Sequence, residues 1–258
     1  MRRTTLGLLL LCVVGCAKKE PKPMRTEPWL AHPPASANAG ASDASAFPLT
    51  RYVLEPRSVI RFELPTRRGA LRGSISRVSG ELEIALSDLT HSHGVVRADL
   101  GSLDIHAASA TEASEAALLE RARAALELTP GAGASTAFAS FELTSVEDAA
   151  PTQLEPAPER DAGGPFMRRT RFSALGNLLL HGFRVARRAP LEAEFGFAGN
   201  RQVPSSVVIR SRAPFVVSLE THAIVAVLGE SDSKAPSGAP ARARDVHVSV
   251  ELYGTKVD

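Results

Sequence analysis

Apolar and polar residues alternate through most of the chain beyond residue 51, and this period of two is typical of half-buried β-strands. The longest alternating stretch, 171–197, predicts two antiparallel strands joined by a tight turn at His181 and Gly182. One side of its first strand carries Phe172, Ala174, Gly176, Leu178 and Leu180. The matching side of its second strand carries Leu191, Ala193, Phe195 and Phe197. A hairpin of this length is stable only within a larger sheet.

Shorter alternating stretches predict the rest of that sheet, at 51–64, 71–78, 81–86, 95–105, 137–146, 207–209, 215–219 and 246–252. Ser79 and Gly80 are predicted to form a turn, and Gly101 is predicted to mark a bend within a long strand. The stretches at 207–209 and 215–219 are pieces interrupted by Pro214, so the count comes to about eight antiparallel strands and the fold class is all-β. The pattern alone leaves open whether these strands form a sandwich or a closed barrel.

Three further stretches depart from this alternation. Residues 111–128 have apolar positions at helical spacing and end before Pro130, which predicts one helix inserted among the strands. Residues 147–167 and 229–244 are rich in proline, glycine and charge, which predicts two long surface loops.

The first residues have the pattern of a secretory signal. Arg2 and Arg3 precede an apolar run at 6–14, which is much shorter than the roughly 20 residues that span a bilayer as a helix. Cys16 directly follows Gly15, and this arrangement resembles the signal of bacterial lipoproteins, in which the cysteine is acylated and becomes the mature N-terminus. The alternative is an ordinary signal peptide with an incidental cysteine. We therefore predict a signal peptide at 1–15 and lipidation of Cys16.

The composition after this signal predicts a tether and then a folded domain. Residues 16–50 contain lysine, proline, alanine and serine without apolar periodicity, which predicts a disordered tether before a domain at 51–258. The chain has two cysteines, Cys12 and Cys16, so the processed domain is expected to form no disulfide. The formal charge of the whole chain is +2, and it falls to 0 without Arg2 and Arg3. This charge gives no indication of nucleic-acid binding.

An anchored protein of this kind is expected to sit on a membrane without spanning it. Ala17 and Lys18 follow Cys16 with no aspartate beside it, which resembles outer-membrane sorting in Gram-negative lipoproteins. The predicted location is therefore the cell envelope, on the periplasmic face of the outer membrane.

The central hairpin also resembles a known family. Residues 176–184, with the sequence GNLLLHGFR, are similar to the "G-x-L-T-x-H-G-x-T" hairpin of the YceI-like family, with Leu179 and Arg184 in place of the usual threonines. Further features follow in the order of that family: Phe62 in an early strand, Ser79-Gly80, Ser102-Leu103-Asp104, a helical segment, and Phe138 into Phe141. The resemblance implies an antiparallel lipocalin-like barrel and an association with isoprenoid chains.

The sequence offers little support for catalysis. His91 and His93 have a spacing that suits two metal ligands, but a polar turn between strands explains them as well. Glu192 and Glu194 are expected to be solvated charges on the outer side of a strand, and Arg187 and Arg188 are expected to flank a turn. No nucleophile elbow and no dinucleotide-binding glycine motif is present. We therefore expect neither an enzyme nor a cofactor or metal site.

The inward side of the predicted strands is instead a set of medium-sized apolar residues. We predict that they line the barrel interior and contact a ligand: Phe62, Leu82, Ile84, Val96, Leu100, Phe141, Leu178, Leu180, Phe195, Val248 and Val250. An eight-stranded barrel is wide enough either to be filled by side chains or to hold one small ligand. The first hypothesis is a membrane-anchored binder of an apolar or isoprenoid-type lipid. The alternative is an envelope interaction protein with a solid barrel and partner-binding loops.

Overall fold

The computed structural model of the protein describes residues 47–66, 69–107, 112–126, 128, 134–154, 165–198, 203–224 and 245–257. All of them belong to one unit of the chain, Asn38–Asp258. The predicted signal peptide, Cys16 and nearly all of the predicted tether lie outside the described residues, as do the loop at 229–244 and the middle of the loop at 147–167. No helix in these ranges has the length and apolar character needed to cross a bilayer.

The described residues form twelve strands and two helices. The strands are β1 (Leu49–Leu54), β2 (Val59–Thr66), β3 (Gly69–Ile75), β4 (Val78–Ala85), β5 (His93–Asp99), β6 (Leu103–Ala107), β7 (Phe138–Ala150), β8 (Phe166–Leu180), β9 (Phe183–Phe197), β10 (Ser206–Ser211), β11 (Phe215–Ser218) and β12 (Asp245–Lys256). The helices are α1 (Glu112–Ala125) and α2 (Ala134–Ala137), with single 3-10 turns at Leu89–His91, Leu100–Ser102 and Glu220–His222.

Short interruptions divide four long strands into pairs, namely β1 with β2, β3 with β4, β5 with β6, and β10 with β11. The resulting eight long strands pair antiparallel with their neighbours in sequence, and β12 closes the ring by pairing with both β1 and β2. Because this pairing closes the ring, the structure decides between the two predicted architectures in favour of a closed barrel. The ring of eight strands is not evenly barrel-shaped.

The central hairpin is β8 and β9, which stay in register from Phe166 opposite Phe197 to Leu180 opposite Phe183. Its turn is formed by His181 at φ 53° and Gly182 at φ 80°. Two successive residues with positive φ suit the twist of a two-residue hairpin loop, and glycine adopts that conformation without steric cost. The predicted hairpin and its turn are confirmed.

Two details of the sequence prediction are wrong. Ser79 and Gly80 do not form a turn but lie within β4, opposite Arg97 and Val96 of β5. A Cβ atom on Gly80 would lie 2.2 Å from the Val95 carbonyl oxygen, so the close approach of β5 requires glycine there. The second error concerns the loop predicted at 147–167, because β7 continues to Ala150 and β8 begins at Phe166.

Helix α1 completes one end of the barrel. At that end β6 pairs with β3 alone among the described strands, and α1 follows β6 in the chain. Leu119, Ala122 and Leu126 pack against the cluster that contains Ile105 of β6, and Leu180 of the hairpin joins the same cluster. The helix therefore packs its apolar side against the barrel, where the spacing of its leucines predicted a buried face.

The outer face of the barrel carries rows of ion pairs. Arg171 pairs with Glu192 at 3.1 Å, and Glu194 pairs with both Arg169 and Arg210. Glu192 and Glu194 thus occupy the outer positions that their alternation predicted. Exposed pairs of this kind stabilise by only about 0.2–1 kcal/mol each, so the folding free energy comes mainly from the interior.

Tyr52 lies in the core at the end of the barrel where β1 pairs with β12, the strand-closed end. Its side chain is fully buried, its hydroxyl donates to the Pro204 carbonyl oxygen at 3.0 Å, and burial raises its pKa. We expect Tyr52→Phe to lower the free energy of unfolding by about 1–2 kcal/mol at neutral pH, because the carbonyl loses its donor. Urea unfolding followed by circular dichroism measures this difference.

The raised pKa of Tyr52 predicts that the free energy of unfolding depends on pH. Above pH of about 10, the ordinary pKa of tyrosine, Tyr52 ionises in the unfolded chain but stays protonated in the fold. Above that pH the wild-type protein therefore loses stability through the phenol of Tyr52, which Tyr52→Phe lacks. The difference in free energy of unfolding between the two proteins should then narrow. A difference that stays constant up to pH of about 11 would contradict this account.

Candidate functional site

The barrel interior contains a cavity of about 240 Å³ at the end that α1 covers. Its wall is formed by residues of β2, β3, β5, β6, β7, β8, β9, β11 and β12, together with Ala122 and Leu126 of α1. An engineered apolar cavity of about 150 Å³ in another protein stays dry and binds benzene, so this space is large enough for part of an apolar ligand. The barrel is hollow at this end.

A second, smaller cavity of about 70 Å³ lies toward the strand-closed end. Val96, Phe141 and Leu252 line both spaces and so form the partition between them. A Cβ atom on Gly176 would lie 2.6 Å from the Phe141 ring, so the ring packs directly over that glycine. Phe141 is thus the aromatic member of the partition, and Gly176 leaves room for its ring.

All eleven residues predicted to face the barrel interior line one of these cavities. The larger cavity is lined by Phe62, Val96, Leu100, Phe141, Leu178, Leu180, Val248 and Val250. The smaller cavity is lined by Leu82, Ile84 and Phe195, together with Val96 and Phe141. The structure therefore brings this set together inside one barrel, while contact with a ligand stays a prediction.

Sequence reasoning missed other parts of the wall. Ile75, Ile105 and Leu219 also line the larger cavity, as do the two α1 residues. Ile105 continues the alternation of Leu103 within β6, so the pattern carried a signal for it. Nothing local indicates that α1 would form part of a cavity wall, because its apolar face is equally typical of a helix packed on a solid core.

Two polar residues, Ser140 and Arg187, line the larger cavity within the part of the chain that the structure describes. Arg187 was predicted to flank a turn. It instead lies within β9, opposite Gly176 of β8. Arg187 alternates with Ala189 and Leu191 on the inward side of β9, and this alternation was a signal for its inward position. The adjacent Arg188 obscured that signal.

Two histidines join the hairpin turn to the 3-10 turn after β11. His181 Nδ1 donates to the His222 carbonyl oxygen, and His222 Nδ1 donates to the Leu180 carbonyl oxygen, both at 3.2 Å. His222 is fully buried, and burial is the main cause of its lowered pKa. Its ring is therefore neutral at pH 7, with the proton on Nδ1 and an acceptor at Nε2.

The histidines considered as metal ligands lie apart in separate ion pairs. His91 Nδ1 lies 3.2 Å from Asp88, and His93 pairs with Glu83. Among the described residues, no three histidine, cysteine, aspartate or glutamate side chains are close enough to hold one metal ion. The arrangement fits the interpretation of His91 as part of a polar turn, the 3-10 turn Leu89–His91.

No protein-family model matches this chain. No curated protein matches it either. Solved structures do match, among them a polyisoprenoid binding domain from Saccharophagus degradans implicated in plant cell wall breakdown, at 14% identity and a TM-score of 0.49 over 81% of this chain and 99% of that one. BcnA of Burkholderia cenocepacia matches at 9% identity and a TM-score of 0.50, over 78% of this chain and 99% of BcnA. The closed ring of antiparallel strands, together with the match to BcnA, shows that the chain has the lipocalin-like, all-β barrel fold that the YceI-like resemblance implied.

Proposed function

We propose that this protein binds an apolar or amphiphilic ligand with an isoprenoid tail inside its barrel, and sequesters or carries it in the cell envelope. The observation that carries the proposal is the larger cavity, about 240 Å³ in volume and lined almost wholly by apolar side chains. Burial of a tail there stabilises the complex by about 25 cal/mol per Å² of apolar surface removed from water. The isoprenoid character of the tail rests on the YceI-like resemblance of the sequence.

The remaining parts of the proposal come from the sequence. A lipid anchor on Cys16 would hold the barrel at the membrane, on the periplasmic face of the outer membrane, and residues 17–50 would act as the tether. We propose binding rather than catalysis, because the cavity wall offers apolar surface with few polar groups. Exclusion of water from the tail is then the main task of the site.

Native mass spectrometry of the protein purified from its own cells under mild conditions tests this function. We expect a co-purifying mass that corresponds to a lipid and is removed by organic extraction. A bare polypeptide in repeated preparations would instead favour the alternative of an interaction protein that uses its loops at 147–167 and 229–244. The cavity disfavours that alternative, because the alternative assumes a solid barrel.

Leu180→Trp tests the location of the ligand. Leu180 lines the larger cavity, and an indole there takes up space that the tail would fill. We expect the ligand-free variant to unfold within about 1 kcal/mol of wild type, because the added atoms enter a void and not a packed core. Affinity for radiolabelled geranylgeraniol, an isoprenoid alcohol, should fall about tenfold or more, since each lost methylene contact weakens binding.

Leu179→Trp is the matched control. Leu179 is the preceding residue on the same strand, so its side chain points to the opposite side of the sheet. The affinity of Leu179→Trp for geranylgeraniol should equal that of wild type. Strong destabilisation of ligand-free Leu180→Trp, with no geranylgeraniol bound by wild type, would show that the barrel does not work as a carrier.

A further inference from the structure

Arg187 differs from the arginines beside it on β9. Arg184 and Arg188 are exposed on the outer face, where Arg184 pairs with Glu142 at 3.0 Å and Arg188 pairs with Asp148. Arg187 is half-buried and lines the larger cavity, opposite Gly176. Its guanidinium group therefore lies beside a space whose other lining residues, apart from Ser140, are apolar.

The pairing of Arg187 is incomplete within the described part of the chain. One Nη donates to Thr221 Oγ1 at 3.0 Å, and the other lies 3.5 Å from the Ala186 carbonyl oxygen. Nε is buried without a hydrogen-bond partner, and no carboxylate in the described ranges forms an ion pair with Arg187. Arginine keeps its charge in proteins, and a charge near apolar surface is strongly stabilised by a counter-charge.

A hydrogen-bond acceptor, His222 Nε2, lies near Arg187. His222 Nε2 is buried, and it has no hydrogen-bond partner among the residues that the structure describes. Burial chiefly, and the charge of Arg187 in addition, lower the pKa of His222 and keep its ring neutral. The neutral ring can accept a hydrogen bond from a hydroxyl or from a protonated acid group.

We propose that Arg187 is the head-group site of the barrel and binds the oxygen atoms of an acidic amphiphile whose tail lies in the larger cavity. The ligand class is then a single-tailed lipid with a phosphate or carboxylate head, because the planar guanidinium group matches the geometry of both. This inference rests on the proposed binding function and narrows its ligand from any apolar tail to an acidic one.

The test compares ligands that share a tail and differ in the head. Geranylgeraniol and geranylgeranyl monophosphate form one pair, and hexadecanol and palmitate form the other. We expect wild type to bind at least one acid about ten- to hundredfold more tightly than its alcohol, the range for hydrogen bonds to charged groups. In Arg187→Met that ratio should fall to about one. The pair with the larger ratio in wild type identifies the head group.

Arg188→Met is the matched control, because it removes the same charge from the outer face of the same strand. It should keep the wild-type ratio. Arg187→Lys keeps the charge but loses the planar donor pair, and should keep only part of the preference. Thermal unfolding of each variant without ligand confirms that the barrel is intact.

The outcomes separate the two levels of the proposal. If wild type binds neither the alcohols nor the acids, the proposed function itself is wrong. If wild type binds the alcohols and the acids equally, the barrel binds tails and the head-group assignment is overturned. An acid preference that survives Arg187→Met overturns it as well, since another group must then bind the head.

Discussion

Phe195→Ala is expected to lower the free energy of unfolding by about 3–5 kcal/mol, the range for removal of a buried phenylalanine ring. Phe195 is 1% exposed, and its ring meets that of Tyr52 edge-on at 6.5 Å between centroids. It also borders the smaller cavity, so the space left by the ring joins an existing void and does not collapse. Urea unfolding of the ligand-free protein measures the loss.

Phe138→Ala is the matched control for this prediction. Phe138 begins β7 and is 45% exposed, so the same chemical change removes a ring that is already half in water. Its cost should be about 1 kcal/mol or less. Equal effects of the two substitutions would mean that Phe195 is not part of a packed core.

Cys16→Ala is expected to abolish membrane retention completely. Cys16 is the only cysteine at the predicted cleavage site, so its thiol is the one group there able to form the thioether to a lipid. Without acyl chains the protein has no buried methylenes in the bilayer, each of which contributes about 0.8 kcal/mol. Fractionation after a carbonate wash should move the protein from the membrane pellet to the soluble fraction or leave an unprocessed precursor.

Cys12→Ala is the control, because Cys12 lies within the apolar run and is predicted to leave with the signal peptide. That variant should stay in the pellet and incorporate labelled palmitate like wild type. Retention of Cys16→Ala in the washed pellet would show that the lipoprotein hypothesis is wrong.

The strands were predictable because alternation is a local property that the barrel preserves. The apolar side of β8 and β9 in the sequence is the inner side in the structure, and β12 likewise places Val248 and Val250 inward. The cavity itself was not predictable, since a filled and a hollow barrel require the same alternation. Its existence depends on how far apart opposite walls stand, which no single strand encodes.

The errors at Gly80 and Arg187 have the same origin. Gly80 was assigned to a turn, because glycine after serine is typical of turns, while its role is to let the β5 backbone approach. Arg187 was assigned to a turn with Arg188, because two adjacent arginines are more often exposed than inward. In both cases the deciding contact comes from a strand or turn distant in sequence.

The ring closure through β12 bears on the order in which the barrel forms. Most strand pairs join neighbours in sequence, but Val248 opposite Phe62 and Gly254 opposite Leu54 join segments separated by nearly the whole domain. Loop-closure entropy makes such distant pairs slow to form, and these cannot form before β12 has been synthesised. During synthesis the earlier strands have hydrogen-bonding partners but no closed interior. The barrel interior therefore closes only after the last strand of the chain has been made.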